Sequence, residues 1–145
     1  MYAIVIACVL TAPATLSDIQ EYQQCLETKH QVEYVSQWHD LLLQYFNEKD
    51  AIKSSKIIYC ESKGKATAVG KNSDGTYDVG LWQFNDNTWK WLAEKLNITS
   101  DRTNPTVSTA VAKWLIENDG WYHWNSSGHC WKESKIWTTK DYLSY

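Results

Sequence analysis

The segment from Cys60 to Trp89 constrains this chain more than any other. An apolar run, Ile57-Ile58-Tyr59-Cys60, stops at one acid, Glu61. A glycine- and polar-rich stretch follows, containing Asn72-Ser73-Asp74-Gly75, and returns through Thr76-Tyr77 to a second acid, Asp78. Gly80-Leu81-Trp82-Gln83-Phe84-Asn85 then interleaves two amides with aromatics. The apolar run predicts a helix that ends at Glu61. Asp-Gly accepts positive φ, so Asp74 reads as a turn former and Asp78 falls on the return limb of a hairpin. The two acids can then face each other across a cleft between a helical part and a small β part. Two carboxylates in unlike environments suit glycosidic-bond cleavage, one held protonated as acid and the other ionised. A surface hairpin with ordinary acids has the same spacing, and spacing alone leaves both readings open.

The remaining chain narrows the class. Its 145 residues, 43% of them hydrophobic, suffice for one domain with a real core. A formal net charge of −3 without a Lys/Arg block argues against nucleic acid as a partner. Nine Trp and nine Tyr offer flat faces for sugar stacking, although most such rings in a small domain serve packing. Tyr2 to Leu10 is apolar, too short to span a bilayer, and is followed by Ala12 and Ala14 in an A-x-A pattern. Residues 1–14 therefore read as a signal peptide, and residues 15–145 as the secreted domain. No Lys or Arg precedes the run, and a buried N-terminal strand is the alternative. Removing the leader removes Cys8 and leaves Cys25, Cys60 and Cys130, an odd count with one thiol over. No metal or other cofactor is expected, since there is no Cys-x-x-Cys and the four His lack ligand spacing. Asn97-Ile98-Thr99 and Asn125-Ser126-Ser127 are sequons for N-glycosylation.

Helical signals dominate from Ser17 onward. Ser17 can cap a helix with Ile19, Tyr22, Cys25 and Leu26 on one face. Val35, Trp38, Leu42, Tyr45 and Phe46 form a second stripe ending at Asn47, and Asn47 or Asp50 caps the helix that leads to Glu61. Asn85 or Asp86 opens a helix through Trp89, Leu92 and Leu96. Asn104-Pro105 opens another, with Val107, Ala110, Val111, Trp114 and Leu115 on its apolar face and Asp119-Gly120 at its end.

Glu61-Ser62, Asn72 through Gly75, and Asp78 through Asn85 resemble, in order and spacing, the active-site stretch of c-type lysozymes. The 17-position gap between the acids matches that family's catalytic pair. The same residues resemble the Glu-Ser and Gly-Leu-x-Gln motifs of lytic transglycosylases, within the same lysozyme-like superfamily. The resemblance runs from about Trp38 to Cys130, and the helix after Ser17 has no counterpart in it. It implies a mainly helical α+β fold of lysozyme-like type with a small β-hairpin lobe beside the cleft and the helix opened by Asn104-Pro105 at its centre. It also implies Glu61 as general acid, Asp78 as nucleophile or stabiliser, and substrate contacts from Asn72, Gln83 and Asn85. Gly120-Trp121-Tyr122-His123-Trp124 resembles the tryptophan pair at the cleft border, which makes Trp121 the expected wall beside Glu61, with core packing for Trp124. A Cys60–Cys130 bridge is implied by a bridge between similar regions of c-type lysozymes, whose first cysteine lies further upstream of the acid; Cys25 is then unpaired.

A carboxyl at a helix C-terminus, walled by aromatics, favours its neutral form, and lysozyme is itself the type case of this behaviour. Asp78 is expected to stay ionised. The expected reaction is hydrolysis of the β-1,4 bond between N-acetylmuramic acid and N-acetylglucosamine in bacterial peptidoglycan, with chitin oligomers as a secondary substrate, by a secreted monomer without a membrane span. Two alternatives stay open. One is a lytic transglycosylase, in which the sugar's own hydroxyl attacks and only Glu61 is needed. The other is a sugar-binding relative that has lost catalysis.

Overall fold

The computed structural model describes residues 7–132. Most of the leader run and the aromatic tail with Ile136, Trp137, Tyr142 and Tyr145 lie outside the described residues. The fold is mainly helical with one small antiparallel sheet.

Helix α1 spans Leu16–Val35. Its cap is Thr15 rather than Ser17: the Thr15 hydroxyl accepts from the Asp18 N–H, and the Asp18 carboxylate accepts from the Thr15 N–H, so two orphan amides are satisfied. The expected apolar face of Ile19 and Leu26 lies exposed, because α1 docks only through its C-terminal half, where Thr28, Gln31, Val32 and Val35 are buried. Cys25 is not unpaired. It is bridged to Cys8, with Cα atoms 5.8 Å apart.

The second stripe is split. A 3-10 turn, Ser36–Trp38, separates α1 from α2, His39–Tyr45. The turn is fixed by the Trp38 indole, whose Nε1–H donates to the Gly64 carbonyl at 2.8 Å. Gly64 has φ +74°, and a side chain there would run into the Tyr34 carbonyl. Helix α3, Glu48–Ser62, is capped by Asn47, whose side chain accepts from the Asp50 N–H. It packs against α1, α2 and the C-terminal helical turns and buries Ala51, Ile52, Ile57 and Ile58, so α3 occupies the centre expected for the helix at Pro105.

After α3 the chain makes three short strands in order, β1 (Val69–Lys71), β2 (Tyr77–Val79) and β3 (Phe84–Asn85). The predicted hairpin is thus two-thirds of a three-stranded sheet, and its register sets Gly70, Asp78 and Asn85 side by side. Helix α4, Asp86–Leu96, takes Asn85 as its cap, and α5, Pro105–Asp119, takes Asn104, whose side chain accepts from two N–H groups. Helix α5 buries Ser108, Thr109, Val111, Ala112 and Leu115, a face rotated from the expected one. A 3-10 stretch, Trp121–Ser127, kinks at Trp124 and leads into the short α6, Gly128–Trp131. The Cys60–Cys130 bridge, with Cα atoms 6.0 Å apart, ties α6 to the last turn of α3.

Candidate active site

Ser62, the last residue of α3, is buried, and its hydroxyl lies within hydrogen-bonding distance of the Ile58 carbonyl, at 3.0 Å, and the Leu81 carbonyl, at 2.9 Å. This fastens the helix end to the loop before β3, so the neighbouring Glu61 is set against the sheet. Gly80 lets the Arg102 backbone close on the other side of this loop: it has φ +92°, and a side chain there would collide with the Arg102 carbonyl. Arg102 also clasps the sheet from outside. It donates to the Phe84 carbonyl at 2.8 Å and pairs with Asp86, whose other oxygen accepts from the Tyr77 N–H.

Between Glu61 and the sheet lies a cleft of about 290 Å³. Glu61, Asn72, Asp78, Gln83 and Asn85 all line it, joined by Thr88, His123, Trp124 and Ser126. Asp78 is held by two amides: its Oδ1 accepts from Asn72 Nδ2 at 3.0 Å and Asn85 Nδ2 at 2.9 Å. Both amides also reach Thr76 Oγ1, and that hydroxyl in turn donates to Asp74 at 2.6 Å. Asp74 is the turn former, and the turn it closes braces the two donors of Asp78. Gln83 sits at φ +50° and spends its side-chain N–H groups on the Ala68 and Gly80 carbonyls, which leaves Oε1 over Gly70.

Burial pushes the Glu61 carboxyl above its ordinary range. A hydrogen bond from Ser127 Oγ to Glu61 Oε1, 2.5 Å, acts in the opposite direction, and the charge of Asp78 adds to the rise. A carboxyl held protonated beside a second, well-anchored carboxylate can donate its proton to a glycosidic oxygen.

Trp121 lies away from the cleft. Its ring packs against Phe46, with Lys53 Nζ 4.3 Å from the ring centroid, on the side of α2 and α3. The kink at Trp124 turns that ring inward instead. Its indole donates to the Trp82 carbonyl at 3.0 Å, and the rings of Trp82 and Trp124 lie 5.2 Å apart. Trp82 is fully buried and donates to Thr109 Oγ1, so it too serves as wall rather than as an exposed stacking face. Ser127 was hidden inside a sequon. The signal that could have found it is its position one helical turn before Cys130, whose implied partner Cys60 adjoins Glu61. His123, also unforeseen, is fixed by Asp119, whose Oδ2 lies 2.7 Å from its Nε2 and accepts from Tyr122. Among the described residues no group of three or more His, Cys, Asp or Glu is gathered as a metal-ligand set.

The family model of the transglycosylase SLT domain matches residues 44–120, just over half of the chain and all of α3, the sheet, α4 and the body of α5. The chain belongs to the transglycosylase SLT family. It is therefore a lysozyme-like enzyme, a peptidoglycan glycosidase in the broad sense that takes in both hydrolases and lytic transglycosylases. Comparison with curated proteins and with solved structures gave no match. The matched region ends at Gly120, so Ser127 and the Trp121–Trp124 segment lie beyond the SLT match.

Proposed function

We propose that this SLT-family enzyme is a lytic transglycosylase that cleaves the bond between N-acetylmuramic acid and N-acetylglucosamine in peptidoglycan, with Glu61 as its acid and base. The observation that carries the reading is the SLT match over elements that build the cleft, with the half-buried Glu61, its carboxyl raised, at the end of α3. Glu61 gives its proton to the glycosidic oxygen as the bond to the anomeric carbon breaks. Its carboxylate then takes the proton of the muramic acid 6-hydroxyl as that oxygen bonds to the anomeric carbon, closing a 1,6-anhydro ring. The attacking hydroxyl is already tethered, which gives it a large effective concentration over water. Asn72 and Asn85 orient Asp78, and Gln83 and Asn85 offer polar contacts to the sugar.

Hydrolysis, the reaction that the resemblance to c-type lysozymes implies, keeps one specific observation in its favour. Asp78 is anchored by two amides on the cleft wall. A carboxylate so placed stabilises a cationic sugar long enough for water to attack. The family match turns the balance toward the intramolecular route.

Export is part of the same reading, with residues 1–14 as leader. The Cys60–Cys130 disulfide, which lies wholly within residues 15–145, suits an oxidising compartment, and no helix of the described residues is long and apolar enough to cross a membrane. Cleavage after Ala14 would preserve the Thr15 cap but remove Cys8, and Cys25 would then lose the partner it has in the full chain.

Glu61→Gln tests the chemistry. It keeps the shape of the side chain and removes the proton, so solubilisation of purified peptidoglycan should fall ~10²–10⁴-fold with the fold intact by circular dichroism. A variant that keeps more than about a tenth of the rate would exclude Glu61 as the general acid.

A further inference from the structure

The Ser127 hydroxyl has one proton and two acceptors in reach: Glu61 Oε1 at 2.5 Å and the Trp124 carbonyl at 3.1 Å. The Trp124 carbonyl already accepts from the Trp131 indole at 2.9 Å. It is not stranded when Ser127 turns away from it. Ser127 is therefore able to commit its proton to Glu61, and the shorter distance lies on that side. The Cys60–Cys130 bridge holds the two backbones that carry this contact, since Glu61 follows Cys60 and Ser127 stands one turn before Cys130.

We propose that Ser127 is a positioning residue that donates to Glu61 Oε1, leaves Oε2 to carry the catalytic proton, and stabilises the carboxylate that remains once that proton has gone to the leaving oxygen. The proposal rests on Glu61 being the general acid. Ser127 keeps its own proton throughout; only the Glu61 proton moves, and the Ser127 hydrogen bond becomes charge-assisted as Glu61 ionises. An interaction that strengthens during proton transfer lowers the barrier and leaves substrate binding alone. It also opposes burial, which favours the protonated form. The other titratable groups lining the cleft with Glu61 are Asp78 from β2 and His123 from the 3-10 stretch.

The test compares Ser127→Ala and two variants of equal bulk, Ser127→Thr and Ser127→Val, on the full chain. Carbon-13 NMR reads the titration of the Glu61 carboxyl, assigned by its loss in Glu61→Gln, and kinetics on a soluble peptidoglycan fragment give kcat and KM. Removing a donor that favours the ionised form must raise the titration midpoint. Ala and Val should move it to higher pH and lower kcat by about 10- to 100-fold at unchanged KM, while Thr restores both. The Thr–Val pair differs only in the hydroxyl, so a packing defect would affect both alike. A midpoint that stays or falls in Ala and Val, or a Thr variant as impaired as Val, would overturn the proposal. The titration is independent of turnover: if the wild type left peptidoglycan intact, the functional reading would fail while the shift still reported the Ser127–Glu61 contact.

Discussion

The two disulfides hold very different parts of the molecule. Cys60–Cys130 joins α3 to α6 amid a dense core, where Ile57, Ile58, Trp82, Leu115 and Trp124 are buried and the candidate acid lies beside the bridge. Cys8–Cys25 pins an N-terminal segment to the outward half of α1, among side chains such as Leu16 that are largely exposed. One region is held by tertiary packing, and the other by local devices, the bridge and the Thr15–Asp18 capping box. The SLT match, residues 44–120, takes in α3, the sheet, α4 and α5 of the first region and leaves out both α1 and the Cys130 end of the bridge. The difference teaches that the cleft needs only the packed half as its frame, with α1 an addition docked by its last turns.

Removing each bridge in turn is the strongest way to break this comparison. Replacing Cys60 and Cys130 by Ser should lower stability by about 2–5 kcal/mol and abolish activity, because the loss falls within the cooperative core. In the uncleaved chain, which alone retains Cys8, the Cys8 and Cys25 pair should matter far less to the main transition: a closed loop stabilises only the unit that unfolds with it, and the first half of α1 has little buried surface to join that unit. Its replacement should change the main melting transition by less than about 0.5 kcal/mol and leave turnover intact. Equal losses from the two pairs, by differential scanning calorimetry, would mean that α1 is part of the catalytic core.

A smaller effect sharpens the same contrast. The packed region bears the unfavourable burial of Glu61, whose folded value lies above its unfolded one. Between the two values the native state binds more protons than the unfolded state, so stability falls as pH rises through that window. Below it, both states are protonated and there is no penalty. Glu61→Gln should flatten this slope and be more stable than wild type above the window, seen as diverging denaturant midpoints with rising pH. Parallel midpoints would place Glu61 in an environment as wet as the surface of α1.

How much was legible in the sequence follows from how local each signal is. Asn47, Asn85 and Asn104 cap their helices with their own side chains, and the chemistry of a cap lies within three residues. The acids and amides of the cleft could be named because one short segment carries them all. Other features depend on partners far away. The Ile19–Leu26 stripe reads as a core face, yet Ile19 and Leu26 are exposed while Tyr22 and Cys25 face only the Cys8 segment among the described residues, and the resemblance that puts the Pro105 helix at the centre does not report that α3 holds that place. Trp121 and Trp124 exchange places because a kink in the 3-10 stretch turns one indole toward Trp82 and the other toward Lys53. Ser127 is legible only through Cys130, one turn further on, and its implied bridge, since its partner Glu61 lies 66 positions away.

The central claim is that, once Glu61 has protonated the leaving oxygen, the anomeric carbon is taken by the sugar's own 6-hydroxyl rather than by water. Mass spectrometry of a wild-type digest of purified peptidoglycan tests it most directly, because the two products differ by one water. The account predicts predominantly 1,6-anhydro muramic ends. Predominantly reducing ends, each heavier by that water, would contradict it and return the reaction to hydrolysis assisted by Asp78.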